Sequence, residues 1–182
     1  MSVLDEILKH NAEFVEKGDY KKFQSDVTPN KKLAIVSCMD SRLTELLPAA
    51  LNLKNGDAKI IKNAGAVLSH PFGSAMRSLL VSVYELGVEE IMVIGHTCCG
   101  MHKLDTDKMV ENMINRGIPK NHFDMLKYCN IDIYNWLKGF DNIEDSIRNS
   151  VNIIKEHLLM PKNVSVYGFV IDIETGKLTK VD

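Results

Sequence analysis

Apolar residues along this chain fall into two rhythms. Four short apolar runs, at residues 33–38, 58–61, 91–94 and 164–171, end at polar or turn-forming residues. These read as strands, and the continuous run at 33–38 suits a strand buried on both faces of a parallel sheet. Elsewhere the spacing changes to every third or fourth position. Leu4, Ile7, Leu8 and Val15 share one face of a helix predicted over 2–17, which Ser2 can cap. Met76, Leu79, Leu80 and Val83 predict a second helix, begun by Pro71 and closed by Gly87. Ile143, Ile147, Val151, Ile154 and Leu158 predict a third over 143–159, stopped by Pro161. A shorter helical piece, Leu43–Leu47, is ended or bent by Pro48. Residues 101–160 read as mostly helical, with breaks near Gly117-Ile118-Pro119 and at Gly139. Residues 18–31 are polar and turn-like. Glu174-Thr175-Gly176-Lys177 turns the chain into a short edge strand at 178–181.

Strands that alternate with helices imply right-handed crossovers and a parallel sheet with helices on both sides. The predicted fold is therefore α/β, with a mostly parallel central sheet flanked by helices and a short C-terminal edge strand. At 182 residues the chain fits one domain, 1–182. Residues 1–31 would be an N-terminal helical arm across the main body or a partner subunit.

Composition narrows the possible partners. A formal net charge of -2 gives no electrostatic reason to expect nucleic acid or an anionic membrane surface. No apolar run approaches the ~18 residues of a membrane span, and the first residues lack the basic start of a signal peptide. A cytoplasmic protein is expected. There, the four cysteines suit metal binding or catalysis better than disulfides.

Two of the strands end in residues that carry chemistry. The first runs into Cys38-Met39-Asp40-Ser41-Arg42. The third stops at Gly95 and presents His96-Thr97-Cys98-Cys99-Gly100. Histidine nitrogen and cysteine sulfur are preferred zinc ligands. Ends of neighbouring parallel strands share the carboxyl edge of the sheet, where ligands bind in open α/β folds. Cys38, His96 and Cys99 would converge there and leave one tetrahedral position open, the mark of catalytic zinc. Two thiolates and a neutral imidazole make the site formally neutral. Its bound water should then be less acidic than the pKa of ~7 reached at a three-histidine site. Asp40 is the natural acceptor for the proton of that water, and Arg42 can hold Asp40 through a bidentate pair. If the pair broke, Asp40 could become a fourth ligand and shut the site.

Other readings carry less weight. A closed structural zinc site would need Cys98 as its fourth ligand, and adjacent cysteines rarely bind one ion. No Cys-x-x-Cys supports a redox pair. Cys129, at a predicted helix end, reads as a small core residue. His70 and His102 lie near element ends and read as surface or packing residues. Asn63-Ala64-Gly65-Ala66 lacks the pattern of a phosphate loop, so Gly65 marks a close backbone approach.

Cys38-Met39-Asp40-Ser41-Arg42, Asn63-Ala64-Gly65-Ala66, Tyr84-Glu85-Leu86-Gly87 and Gly95-His96-Thr97-Cys98-Cys99-Gly100-Met101 together resemble the β-class carbonic anhydrases, in their compact archaeal and bacterial branch. Tyr167-Gly168 through Leu178 is similar to that family's closing strand and turn. The resemblance implies zinc on Cys38, His96 and Cys99, with Asp40 and Arg42 as the catalytic dyad. It implies a substrate pocket at Asn63, Ala64, Gly65 and Gly100. The implied reaction is reversible hydration of carbon dioxide to bicarbonate and a proton, by attack of zinc-bound hydroxide. Two alternatives are hydrolysis of carbonyl sulfide or carbon disulfide on the same scaffold, and a zinc-binding module without turnover. The implied assembly is a homodimer, or a tetramer, with the N-terminal helix on the neighbour. Cys98 departs from the family pattern, where aspartate is usual. The 104–150 segment is the least family-like part and is expected to cover the site or set assembly.

Overall fold

The computed structural model describes residues 2–181. Five strands form one sheet in the order β2-β1-β3-β4-β5. They are β1 (Leu33–Cys38), β2 (Ala58–Asn63), β3 (Glu90–His96), β4 (Ser165–Ile171) and β5 (Leu178–Val181). The first four are parallel and β5 is antiparallel to β4. The α/β architecture with its edge strand is the one the sequence pattern predicts. β1 and β3 are nearly continuously buried, whereas edge strand β2 is mostly half-exposed. Strand order reverses between β1 and β3, so their carboxyl ends open a crevice.

Two apolar layers sandwich the sheet. On one side, Ala34, Val36, Ile91 and Val93 pack with Leu79 of α3 (Ser74–Tyr84) and Ile147 and Ile154 of α7 (Ile143–Lys155). On the other, Ile35 and Ile94 pack with Leu43 and Leu47 of α2 (Leu43–Ala50), and Cys38, Cys99 and Phe140 join this layer. α7 lies close on the sheet because position 95 is glycine. A Cβ there would sit 2.6 Å from Ile143 Cδ1.

Several boundaries differ from the sequence reading. β3 runs through Gly95 and ends on His96, so the histidine belongs to the strand rather than to a following loop. α3 begins at Ser74. Pro71 instead occupies a turn closed by the Gly73 amide on the His70 carbonyl, where its fixed φ is favoured. Pro48 lies inside α2, which continues for two residues more. Its missing N–H falls in the last turn, where little helix remains to lose. α7 stops at Lys155, before Pro161. His157 turns inward and its Nδ1 accepts the Leu159 amide, leaving Leu158 92% exposed and outside the apolar face. Cys129, read as core, is exposed, because the helix it follows buries none of its residues.

α1 (Val3–Glu16) is closed at its start by a capping box between Ser2 and Asp5. The described chain buries none of its residues. Residues 101–160 form α4 (Thr106–Asn115), α5 (Lys120–Tyr128), α6 (Ile133–Leu137) and α7. Among the described residues no helix is long and apolar enough to cross a membrane.

Candidate metal centre

Cys38 and His96 are the last residues of adjacent parallel strands. Cys99 joins them through a tight turn. Cys98 takes a left-handed conformation with φ of 53°, and the His102 amide closes on the Cys99 carbonyl. That reversal puts Cys98 outside and Cys99 inside. The Sγ atoms of Cys38 and Cys99 are 3.8 Å apart. The donor atoms of Cys38, His96 and Cys99 all lie within 4.8 Å of one another, and all three residues are buried.

The imidazole is set for a ligand. His96 Nδ1 lies 2.8 Å from the Thr97 carbonyl. A carbonyl only accepts, so Nδ1 carries the proton and Nε2 keeps its lone pair. Nε2 is buried and among the described residues has no hydrogen-bond partner. An orphaned imidazole nitrogen beside two thiols is a donor set that zinc fits.

The two thiols are not equivalent. Burial pushes Cys38 up, but the neighbouring His96 ring and hydrogen bonds from the Asp40 and Gly65 amides outweigh it and bring Cys38 down to about 7. Cys99 is pushed up to about 11, by burial and by the charge of Cys38, against a hydrogen bond from the Met101 amide. Without a cation the pair resists carrying two charges. A divalent ion removes that conflict by deprotonating both.

Asp40 and Arg42 form a closed pair. Arg42 Nε donates to Oδ1 at 2.9 Å and Nη2 donates to Oδ2 at 2.8 Å. The Arg42 amide also donates to Oδ1, at 2.9 Å. These hydrogen bonds hold the Asp40 carboxyl well below the usual carboxylate range. Arg42 Nη2 reaches on to the Cys98 carbonyl at 3.1 Å, which ties the pair to the turn that presents Cys99. Asp40 Oδ2 is 3.8 Å from His96 Nε2 and so faces the donor set.

Cys98 thereby acquires a physical role through its backbone. A left-handed position favours glycine, asparagine or aspartate. Cys98→Asn should keep the turn and raise stability by up to about 1 kcal/mol, read as a shift in urea midpoint. A loss of stability would count against this account.

The Gly65 amide donates to Cys38 Sγ at 3.4 Å. Its φ is +78°, and an added Cβ would lie 3.1 Å from Phe140 and 3.2 Å from Met101. Position 65 therefore requires glycine on both counts. Asn63 and Ala64 line a cavity of about 460 Å³ beside the centre, together with Met39, Met101, His70, Trp136 and Leu137. Gly100 is not among its lining residues. The wall supplied by Trp136 and Leu137 comes from the 104–150 segment, which the sequence reading expected to cover the site or set assembly without naming these residues. His102 Nε2 donates to the Asp141 carbonyl, a packing role. The sequence also gave no weight to Thr97, whose place between two motif residues was the available signal.

The carbonic anhydrase family profile matches residues 33–178. YtiB of Bacillus subtilis, named as a candidate carbonic anhydrase, is 53% identical over 178 residues, covering 98% of this chain and 95% of its own. The crystal structure of β-carbonic anhydrase isoform I from Trichomonas vaginalis superposes with a TM-score of 0.90 at 37% identity, covering 100% of this chain and 98% of the other. A carbon disulfide hydrolase of Saccharolobus solfataricus is 30% identical over 181 residues, covering 92% of this chain and 86% of its own. With the three-donor centre at the strand-order reversal, these matches place the chain in the β-carbonic anhydrase family.

Proposed function

We propose that this protein catalyses the reversible hydration of carbon dioxide to bicarbonate and a proton. The observation that carries the reading is the buried Cys38–His96–Cys99 set with the ionised Asp40 facing it. Cys38, His96 and Cys99 would hold zinc, which supplies a Lewis acid that acidifies a water. The chain's own residues do the rest. Asp40 stays ionised, so it accepts a hydrogen bond from the attacking water and does not donate one. Oδ2 takes one Arg42 hydrogen bond and is the carboxylate oxygen nearer the donor set, which makes it the orienting atom. Arg42 fixes the carboxylate plane through its fork. A group held so far below neutrality is a poor proton store, so the released proton passes to solvent or buffer. Stopped-flow hydration with metal analysis tests the reading. Zinc at about one per chain without hydration anywhere from pH 6 to about 9 would reject it.

A second substrate class has its own support. The relative named as a carbon disulfide hydrolase shares the scaffold, and the neighbouring cavity presents Met39, Met101, Leu104, Met109 and Trp136. Sulfide release from carbon disulfide or carbonyl sulfide, measured beside carbon dioxide hydration, separates the two. Sulfide production faster than hydration would reverse the assignment.

The α1 helix suggests a homodimer, with a tetramer as a larger option. Leu4, Ile7 and Leu8 are each about 60% exposed on a helix that the described chain leaves unburied. A second copy is the partner that the proposed assembly calls for, and we place the enzyme in the cytoplasm. Replacing Ile7 and Leu8 together by glutamate should convert a dimer to monomers in sedimentation velocity. An unchanged sedimentation coefficient would exclude α1 from the interface.

A further inference from the structure

Thr97 makes three hydrogen bonds from three different atoms. Its amide donates to the Ile171 carbonyl at 3.1 Å and extends the β3–β4 ladder by one residue. Its Oγ1 accepts the Ile173 amide at 3.0 Å. Its carbonyl accepts from His96 Nδ1 at 2.8 Å. The Ile173 end of this chain is itself anchored. Asp172 Oδ1 accepts from the Glu174 amide, the Thr175 amide and the Thr175 hydroxyl, and the Asp172 amide donates to the Lys177 carbonyl. The turn between β4 and β5 is thus clamped by one carboxylate, and its Ile173 amide points at the threonine side chain.

These contacts matter because a peptide carbonyl at the end of a strand can rotate. Beyond the Thr97 amide the ladder with β4 ends, and among the described residues the peptide that carries the Thr97 carbonyl makes no ladder bond. The Oγ1 contact to Ile173 removes that freedom. It aims the Thr97 carbonyl at Nδ1, which fixes both the imidazole tautomer and the ring plane that presents Nε2 to the two thiols. A methyl in place of the hydroxyl would keep the shape but leave the Ile173 amide unpaired and the peptide free to turn.

We infer that Thr97 is a positioning residue for the metal centre, its hydroxyl coupling the β4–β5 turn to the orientation of the His96 ligand. The inference rests on the reading of Cys38, His96 and Cys99 as zinc ligands. Interactions that orient a ligating histidine typically contribute 10–100-fold to metal affinity.

The test measures the zinc dissociation constant by chelator competition for the full-length wild-type protein, Thr97→Val, Thr97→Ala and Thr97→Ser, with circular dichroism of each. Wild type that binds no zinc would sink the metal-centre reading itself. If wild type binds, Thr97→Val and Thr97→Ala should bind about 10–100-fold more weakly with unchanged secondary structure, and Thr97→Ser should stay within a few-fold of wild type. Wild-type affinity in either folded valine or alanine variant overturns the inference alone. Equal weakening in Thr97→Ser also overturns it, because the hydroxyl would then not be the cause. Failure of both the valine and alanine variants to fold overturns it as well, by making the residue structural.

Discussion

Replacing Asp40 by asparagine should lower carbon dioxide hydration by about 10²–10⁴-fold while zinc stays bound. The proposed metal donors are Cys38, His96 and Cys99, so the substitution removes none of them. What it removes is the anion that Arg42 grips by three hydrogen bonds and that faces the donor set at 3.8 Å from His96 Nε2. Asparagine has one acceptor oxygen. If that oxygen meets Arg42, the amide N–H₂ faces the centre and donates where acceptance is needed. If it faces the centre, the N–H₂ opposes the guanidinium. Either orientation costs the oriented acceptor. Stopped-flow hydration and metal content on the same preparation decide the matter, and near-normal turnover with zinc bound would remove Asp40 from the mechanism.

Removing zinc should lower the melting temperature by roughly 8–16 °C. A ligand held only by the folded chain stabilises it by mass action, by about 4.1 kcal/mol at a thousandfold excess over its dissociation constant. For a chain of this size each kcal/mol shifts melting by roughly 2–4 °C. The physical source is local. Among the described residues the buried Nε2 of His96 has no hydrogen-bond partner, and Cys99 is pushed up to about 11. Zinc held there would satisfy the nitrogen and both sulfurs together. Cys99→Ser should weaken zinc binding by about a hundredfold or more, taking zinc-site affinities of roughly 10–16 kcal/mol as shared among four ligands. Its melting should then respond little to a chelator. Scanning calorimetry with and without chelator measures both effects. A wild-type protein indifferent to chelation would contradict the assigned centre.

The elements that were legible beforehand are those whose pattern is local. A continuous apolar run such as 33–38 has only one economical environment, the middle of a parallel sheet, and it is found there. The Ser2 cap of α1 and the left-handed φ of 66° at Gly87 likewise follow from single residues. The misplacements occurred where a local preference met a competing local turn or a burial demand from the tertiary fold. Pro71 favours a helix start and a turn equally, and the His70–Gly73 contact took it into a turn. Leu158 kept the helical spacing of Ile154, yet the burial of His157 ended the helix before it.

For the site, the sequence alone determined which donors were available and that strand ends would bring Cys38 and His96 to one edge. That much follows from alternating strands and helices, whose crossovers align carboxyl ends. The sequence reading already favoured Cys99 over Cys98, but only the tertiary structure shows what turns Cys99 inward: a left-handed Cys98 whose carbonyl Arg42 reaches across 56 positions of chain. Only it could show Gly65 donating to Cys38, Trp136 and Leu137 walling the cavity, and Thr97 tied to Ile173. Each of these depends on the distance between segments far apart in the chain. Residue type and spacing carry no information about such distances until the sheet has closed around them.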